Sequence, residues 1–504
     1  MATISLWLLR RCRASGVLTY KTNNVRRCSQ FSSSYQLSTA TVGEKQAFDV
    51  DQAASLVKDL RNNFHSGKTK SYEWRVVQLQ RIMRMLEENQ KKIVEALYKD
   101  LAKPEPESFF WEISITNASC KLILEQLKGW MMPEKVQTNS ATMSLSSAEI
   151  VSEPLGVVLV ISPWNFPLLL SLDPVIGAIA AGNTVVVKPS EISSATSSVL
   201  SNLLEEYVDN SAIRVVEGSV AETSALLEQK WDKIFFTGGE RVGRIVMAAA
   251  AKHLTPVVLE LGGKCPAIVD SNVDLQVAAR RITAGKWACN NGQICIGVDY
   301  IITTKEFAPK LIEALRNELE ACFGKDPMES KDRSRIVNSS HFKRLANLMD
   351  EDKVSDKIVL GGQRDESQLQ IAPTILLNVP EDSLIMQEEI FGPLLPILTV
   401  ENLEDSIEVI NRKPKPLAAY LFSDDEQLKT KFVQNVSAGG MTINDTRRHV
   451  FVSGLPFGGV GKSGMGSYHG KFSFDIFCHK KAVLYRSFAG DDKMSYPPYH
   501  TYKG

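Results

Sequence analysis

Five short runs at residues 157–161, 184–188, 213–216, 233–237 and 257–261 are dominated by Val, Ile, Leu and Phe. Between them lie segments with helical spacing near 168–181, 193–207, 219–229 and 240–252. Strands that are apolar along their whole length must be covered on both faces, and helices of this length provide the cover. The alternation therefore predicts a doubly wound parallel α/β sheet, whose ligands sit beyond the carboxyl ends of its strands.

Two helical patterns precede this region. Ala53, Leu56, Val57, Leu60 and Phe64 mark one buried face, and Trp74, Val77, Ile82, Leu86, Ile93 and Leu97 a longer, less regular one. Residues 136–152 are polar and read as a hairpin or connector. A second α/β region is expected at about 262–445, and the Gly- and aromatic-rich stretch 446–490 does not read as a domain of its own.

Lys+Arg and Asp+Glu number 58 each, so no overall basic field favours nucleic acid. The charge is unevenly placed. Residues 1–43 hold six basic residues, no acid and 12 Ser or Thr, the composition of an organelle transit peptide. The 18 uncharged residues Leu155–Leu172 include Gly156, Pro163, Asn165 and Pro167, and read as a buried strand and turn, not a membrane span. The end of the chain carries no lipidation signal or hydrophobic tail, so no stable membrane anchor is expected. The 8 Cys show neither CxxC nor zinc spacing, and the 7 His form no metal motif, so no metal site is expected.

Gly461-Lys462-Ser463 resembles the end of a P-loop. The first glycine of that motif would fall on Pro456, which has no N–H to offer a phosphate. Gly459, Gly461 and Gly464 also fit a dinucleotide fingerprint, but follow no clear strand. The run reads better as a tight packing loop. Gly238 and Gly243 flank a strand-to-helix turn, where backbone and helix N-terminus favour a phosphate, although a plain turn explains the spacing equally well.

Among the cysteines, Cys295 stands out because amides and a glycine precede it in Asn290-Asn-Gly-Gln-Ile-Cys295. Most unpaired cysteines are small buried apolar groups, and Cys289 competes for the role or could serve as a redox partner. Glu260 interrupts an apolar strand, and a buried carboxylate without a task is costly. Asn165, between Trp164 and Phe166, poses the same question.

Glu260-Leu-Gly-Gly-Lys264 and Gly292-Gln-Ile-Cys295 together resemble the active-site signatures of aldehyde dehydrogenases. So do Pro163-Trp-Asn-Phe-Pro167, Lys188-Pro-Ser-Glu191, Glu388-Glu-Ile-Phe-Gly-Pro393 and Leu455-Pro-Phe-Gly-Gly459. The motifs run in order over about 48–487. Gly464-Met-Gly-Ser-Tyr-His-Gly470 and His479-Lys-Lys resemble the class 3 branch, and the presequence and Trp287-Ala-Cys-Asn290 its plant, plastid-type members.

The resemblance implies a Rossmann-like NAD(P)-binding domain (48–130 and 153–253), an α/β catalytic domain (254–445) and a small oligomerisation arm (131–152 and 446–490). Residues 1–47 would be the transit peptide and 491–504 a polar tail. It implies that Cys295 attacks the aldehyde carbonyl and that the Asn165 amide and Cys295 N–H hold the oxyanion. A hydride then leaves for the nicotinamide, and Glu260 activates water to hydrolyse the thioester. Lys188 and Glu191 would bind the adenosine ribose, favouring NAD over NADP. Gly238 and Gly243 would pass the pyrophosphate, and Glu389 and Phe391 would clamp the nicotinamide ribose. Trp164, Ile294 and Phe457 would line the substrate pocket, alongside Pro163. Gly239 stands where many relatives have Ser, and Ile294 is bulkier than the Thr or Ala usual there.

The implied partners are a small aldehyde, of the medium-chain or lipid-peroxidation kind, and a second copy in a homodimer. The implied place is the plastid, with mitochondrion or cytoplasm as alternatives. Two rivals remain on sequence alone: a P-loop hydrolase using Lys462, and a silent scaffold of the same fold.

Overall fold

A computed structural model describes residues 48–137, 145–489, 491 and 496–498. The transit-peptide segment 1–47 and most of the polar tail lie outside the described residues.

The first helix, Val50–His65, starts at a capping box in which Asp49 and Gln52 each bind the other's N–H. It buries Ala53, Val57, Leu60 and Phe64. The longer pattern is two helices, Tyr72–Glu88 and Gln90–Leu101, separated by non-helical Asn89. That break explains the irregular spacing. Val77 falls off the buried stripe and is 40% exposed. One π-helical turn follows, Phe109–Ser114.

The five apolar runs form the expected parallel sheet. Val157–Ile161 lies centrally, with Thr184–Lys188 and Ile213–Val215 on one side and Lys233–Thr237 and Val257–Glu260 on the other. The chain order reverses between Val157–Ile161 and Lys233–Thr237, which opens a crevice at the carboxyl ends. Ser162 to Phe166, Gly238 and Leu261 are therefore presented at one rim.

A second, seven-stranded sheet runs from Pro266–Val269 to Gly440–Ile443; only the edge strand Ile358–Leu360 is antiparallel. The strand carrying Glu260 belongs to the first sheet, although 254–445 was assigned to the catalytic region. A third sheet joins Glu134–Val136, Ser146–Pro154 and Cys478–Arg486, the last two paired over nine residues. Of the stretch 446–490, only Cys478–Arg486 lies in that arm. Gly464–Met465 instead adds an antiparallel strand to Val257–Glu260, and Lys471–Ile476 packs on the helix Leu169–Ala181.

Candidate active site

The rim residues line a cavity of about 850 Å³ that contains Cys295, Glu260, Asn165, Lys188, Glu191, Gly238, Glu389, Phe391 and Trp164. The size suits a cofactor or substrate site. Three predicted residues are not among its lining. Gly243 is buried one helical turn behind Gly238. Ile294 is buried, with its Cγ2 turned toward Gly297. Phe457 is sandwiched between the rings of His469 and His449, at 4.9 and 5.9 Å.

The cysteine sits at the end of an unusual turn. Asn290, Asn291 and Gly292 all have positive φ, at 47°, 49° and 79°. Asn and Gly tolerate this region best, which accounts for the amide- and glycine-rich approach to Cys295. A Cβ at position 292 would lie 2.3 Å from the Gly392 carbonyl oxygen. Gln293 then ties the turn down. Its Nε2 donates to the carbonyls of Asn290 and Arg335, and its Oε1 accepts from the Val337 N–H.

Cys295 is only partly buried, whereas Cys289 is fully buried. Burial, then the charges of Glu260 and Glu389, raise the Cys295 thiol well above its ordinary pKa. The resting site therefore holds a thiol, and a base must take its proton. Burial also pushes Cys289 up to about 12, and no carboxylate lining the cavity adjoins it.

Glu260 is 1% exposed, and among the described residues neither carboxylate oxygen has a partner at ordinary hydrogen-bond geometry, although Cys295 and Thr237 lie beside it. Burial lifts its pKa to about 7, against the pull of neighbouring Cys295 and Thr237. Its backbone is held from two sides: Gly238 N donates to Glu260 O, and Leu261 N to Ser463 O. The glycine run is thus a close-packed strap under Glu260. Cβ atoms at 459 and 464 would meet the Ser463 and Leu259 carbonyl oxygens at 1.9 and 2.0 Å. Lys462, the P-loop candidate, is exposed.

Asn165 is 3% exposed, and its Nδ2 donates to the Gln293 carbonyl at 3.2 Å, which brings the Asn165 loop against the Cys295 loop. Its own carbonyl accepts from Lys103 Nζ at 3.0 Å and Asn290 Nδ2 at 2.9 Å. Lys103 and Glu112, both fully buried, form a 2.6 Å ion pair. Glu107 accepts from the Asn290 N–H at 2.6 Å. Sequence reasoning missed all three. Glu112, set between Trp111 and Ile113 in an aromatic run, carried the same signal as Glu260: a carboxylate where an apolar residue is expected.

The other side of the cavity fits a dinucleotide. The helix Glu240–Ala251 begins at Gly239 with no side-chain cap, and a Cβ at 239 would meet nothing within 4 Å. Val242 and Gly243 N–H donate to the Gly239 carbonyl, which leaves the N–H groups of Glu240 and Arg241 facing a phosphate, with no hydroxyl from position 239. Lys188 Nζ, at a strand end, binds Glu191 and the Gly218 carbonyl, both at 2.8 Å. Glu191 stays half exposed at the rim, where it can take ribose hydroxyls. Glu389 lies against Gly262, with Oε1 buried and unpartnered, and burial raises it to about 8. Trp164 makes edge contacts with Phe391 and His341 at 5.3 and 5.0 Å.

A sequence profile of the aldehyde dehydrogenase family matches residues 23–483. The chain is 66% identical over 466 residues to aldehyde dehydrogenase family 3 member I1, chloroplastic, of Arabidopsis thaliana, covering 92% of this chain and 84% of that one. It is 63% identical to family 3 member H1 of the same plant, over 90% and 94% of the two chains. A substrate-bound structure of Staphylococcus aureus AldH superposes with a TM-score of 0.86 at 42% identity, covering 89% of this chain and 97% of that one.

Proposed function

The chain belongs to the aldehyde dehydrogenase family, among its class 3 plant members, and from that premise we propose how its residues carry out the reaction. The enzyme oxidises aldehydes to carboxylic acids with NAD or NADP. The observation that carries the residue assignment is the unpartnered Glu260 carboxylate beside Cys295 in one cavity.

Glu260, about half ionised near neutral pH, takes the Cys295 proton, and the thiolate adds to the aldehyde carbon. The developing oxyanion lies against the Asn165 side-chain amide and the Cys295 N–H, donors held in place beforehand. When bound, NAD or NADP supplies the oxidised nicotinamide that accepts the hydride from the thiohemiacetal carbon. Once Glu260 has released the thiol proton to solvent, it takes a proton from the water that attacks the thioester carbonyl, and the Cys295 sulfur leaves as the carboxylic acid forms. Lys188, Glu191, Gly238, Glu389 and Phe391 would hold the cofactor, and the Glu191 carboxylate favours NAD by repelling a 2′-phosphate.

A chain of ring contacts suits an apolar substrate tail. Exposed Phe110 touches Phe451 at 5.6 Å, Phe451 touches Trp111 at 5.1 Å, and Trp111 reaches buried Phe166 at 6.3 Å, next to Asn165. Medium-chain aliphatic and lipid-peroxidation aldehydes fit this apolar approach, and their removal would serve aldehyde detoxification under stress. The plastid is the proposed location, supported by the acid-free presequence and the chloroplastic relative. The proposed homodimer uses the three-stranded arm, whose outer strand, Cys478–Arg486, leaves a nine-residue edge without a partner strand among the described residues. No helix among the described residues is long and apolar enough to cross a membrane.

NADH formation by residues 48–504 with hexanal or nonanal tests the assignment. Turnover is expected to vanish in Cys295→Ala and to persist in Cys289→Ala. The reverse pattern would move the nucleophile to Cys289.

A further inference from the structure

A lysine and a glutamate with 0% exposed side chains are a costly pair to bury, and the chemistry described so far uses neither. Both act on the segment that carries Asn165. Lys103 Nζ, besides its 2.6 Å bond to Glu112 Oε1, donates to the Asn165 carbonyl at 3.0 Å and sits 4.2 Å from the centre of the Phe166 ring. Glu112 Oε2 accepts from the N–H groups of both Leu168 and Leu169, each at 3.0 Å, at the start of the helix Leu169–Ala181. The two ends of the five-residue piece 165–169 are thus held by the two ends of one ion pair. The Asn165 carbonyl is filled by two donors, Lys103 Nζ and Asn290 Nδ2, so the peptide at 165 cannot turn without breaking both.

Glu112 reaches this place from the π-helical turn Phe109–Ser114. Such turns add a residue to a helix and frequently mark functional sites. Glu107, nearer the N-terminus, holds the Asn290 N–H and so reaches the cysteine turn from the same direction.

We propose that Lys103 is a positioning residue for the reaction: with Glu112 it fixes the Asn165 backbone so that the Asn165 amide meets the developing oxyanion. The proposal rests on the oxyanion role given to Asn165. Lys103 acts through a main-chain carbonyl and needs no contact with aldehyde or cofactor. Its effect should fall on the rate of hydride transfer, not on cofactor affinity.

Pre-steady-state NADH bursts, read by stopped-flow on the whole enzyme with NAD and hexanal, separate the outcomes. In Lys103→Met the burst rate should fall about tenfold or more, less than complete loss of an oxyanion donor, while burst amplitude per folded enzyme and NAD affinity hold. Lys103→Met leaves Glu112 without its cation, so Lys103→Met/Glu112→Gln, which removes both charges, serves as the second variant if the first folds poorly. It should be as slow. Asn165→Ala should also be slow, and adding Lys103→Met to it should cost less than about twofold more, because both changes remove one function. A loss of amplitude that follows the folded fraction, at unchanged rate, would make the pair merely structural and overturn the proposal. So would equal losses from Lys103→Met with and without Asn165. An unchanged burst in Asn165→Ala would instead overturn the oxyanion assignment beneath it.

Discussion

Glu260 couples the chemistry of the site to its stability. Its pKa stands near 7 in the folded chain, against an ordinary value of 4.5. Between those values the folded state keeps a proton that the unfolded state has lost, so stability falls as pH rises through this window. A shift of that size corresponds to roughly 3 kcal/mol once both states are ionised. Glu260→Gln, which has no charge to bury, should therefore gain stability relative to the unmutated chain between pH 5 and pH 8, read as a widening gap in unfolding midpoint. A constant gap across that range would contradict a buried, protonated Glu260. Activity runs the opposite way: thioester hydrolysis should speed up as pH rises through about 7, as the base ionises. At the rim, Glu191→Ala should raise KM for NAD several-fold and narrow its advantage over NADP, measured as the ratio of kcat/KM. An unchanged ratio would place cofactor choice elsewhere.

The elements carried their own signals unevenly. The parallel strands were legible because a strand buried on both faces must be apolar throughout, and three of the five runs match their strands residue for residue. The break at Asn89 was not. Helical spacing resumes on the far side, and no Gly or Pro marks the interruption. Cys295, Glu260 and Asn165 were legible as polar residues in apolar or glycine-rich settings. Lys103 and Glu107 were hidden in Lys103-Pro-Glu-Pro-Glu107, which reads as a solvated connector, because their burial depends on loops distant in the chain. The glycine run shows spacing without function. It fits the spacing of a dinucleotide fingerprint and the end of a P-loop, yet its glycines are required by close backbone contact under Glu260. Gly464→Ala forces a Cβ against the Leu259 carbonyl and should destabilise the protein by about 1–3 kcal/mol or more, with activity reduced. Lys462→Ala, on the same loop but exposed, should stay within about 0.5 kcal/mol and keep full turnover. Loss of turnover in Lys462→Ala would restore a functional reading of the P-loop-like run.

At the scale of the molecule, two sheets meet so that each supplies residues to one cavity. The first presents Asn165, Glu260 and the cofactor rim at its carboxyl ends. The Cys295 turn follows the helix Leu275–Lys286, which comes after the first strand of the second sheet. The arm is a separate sheet and exposes Leu484 and Tyr485, at 52% and 55%, on an edge unpaired among the described residues. If this edge joins two copies, Leu484→Pro should halve the mass seen by sedimentation, because by the register of the pairing the Leu484 N–H faces the open edge, and proline removes it and bends the strand. An unchanged mass would place the contact elsewhere.

The division of labour between Cys295 and Glu260 is tested most directly by intact-protein mass spectrometry. Glu260→Gln would be mixed with NAD and hexanal, acid-quenched and digested to locate any adduct. Loss of Glu260 slows thiolate formation as well as hydrolysis, so the mixture is held for many turnover times at pH 9; the acyl group that forms slowly should then persist as a hexanoyl group on the peptide containing Cys295. An adduct on Cys289, or NADH formed at the unmutated rate with no adduct at all, would contradict it.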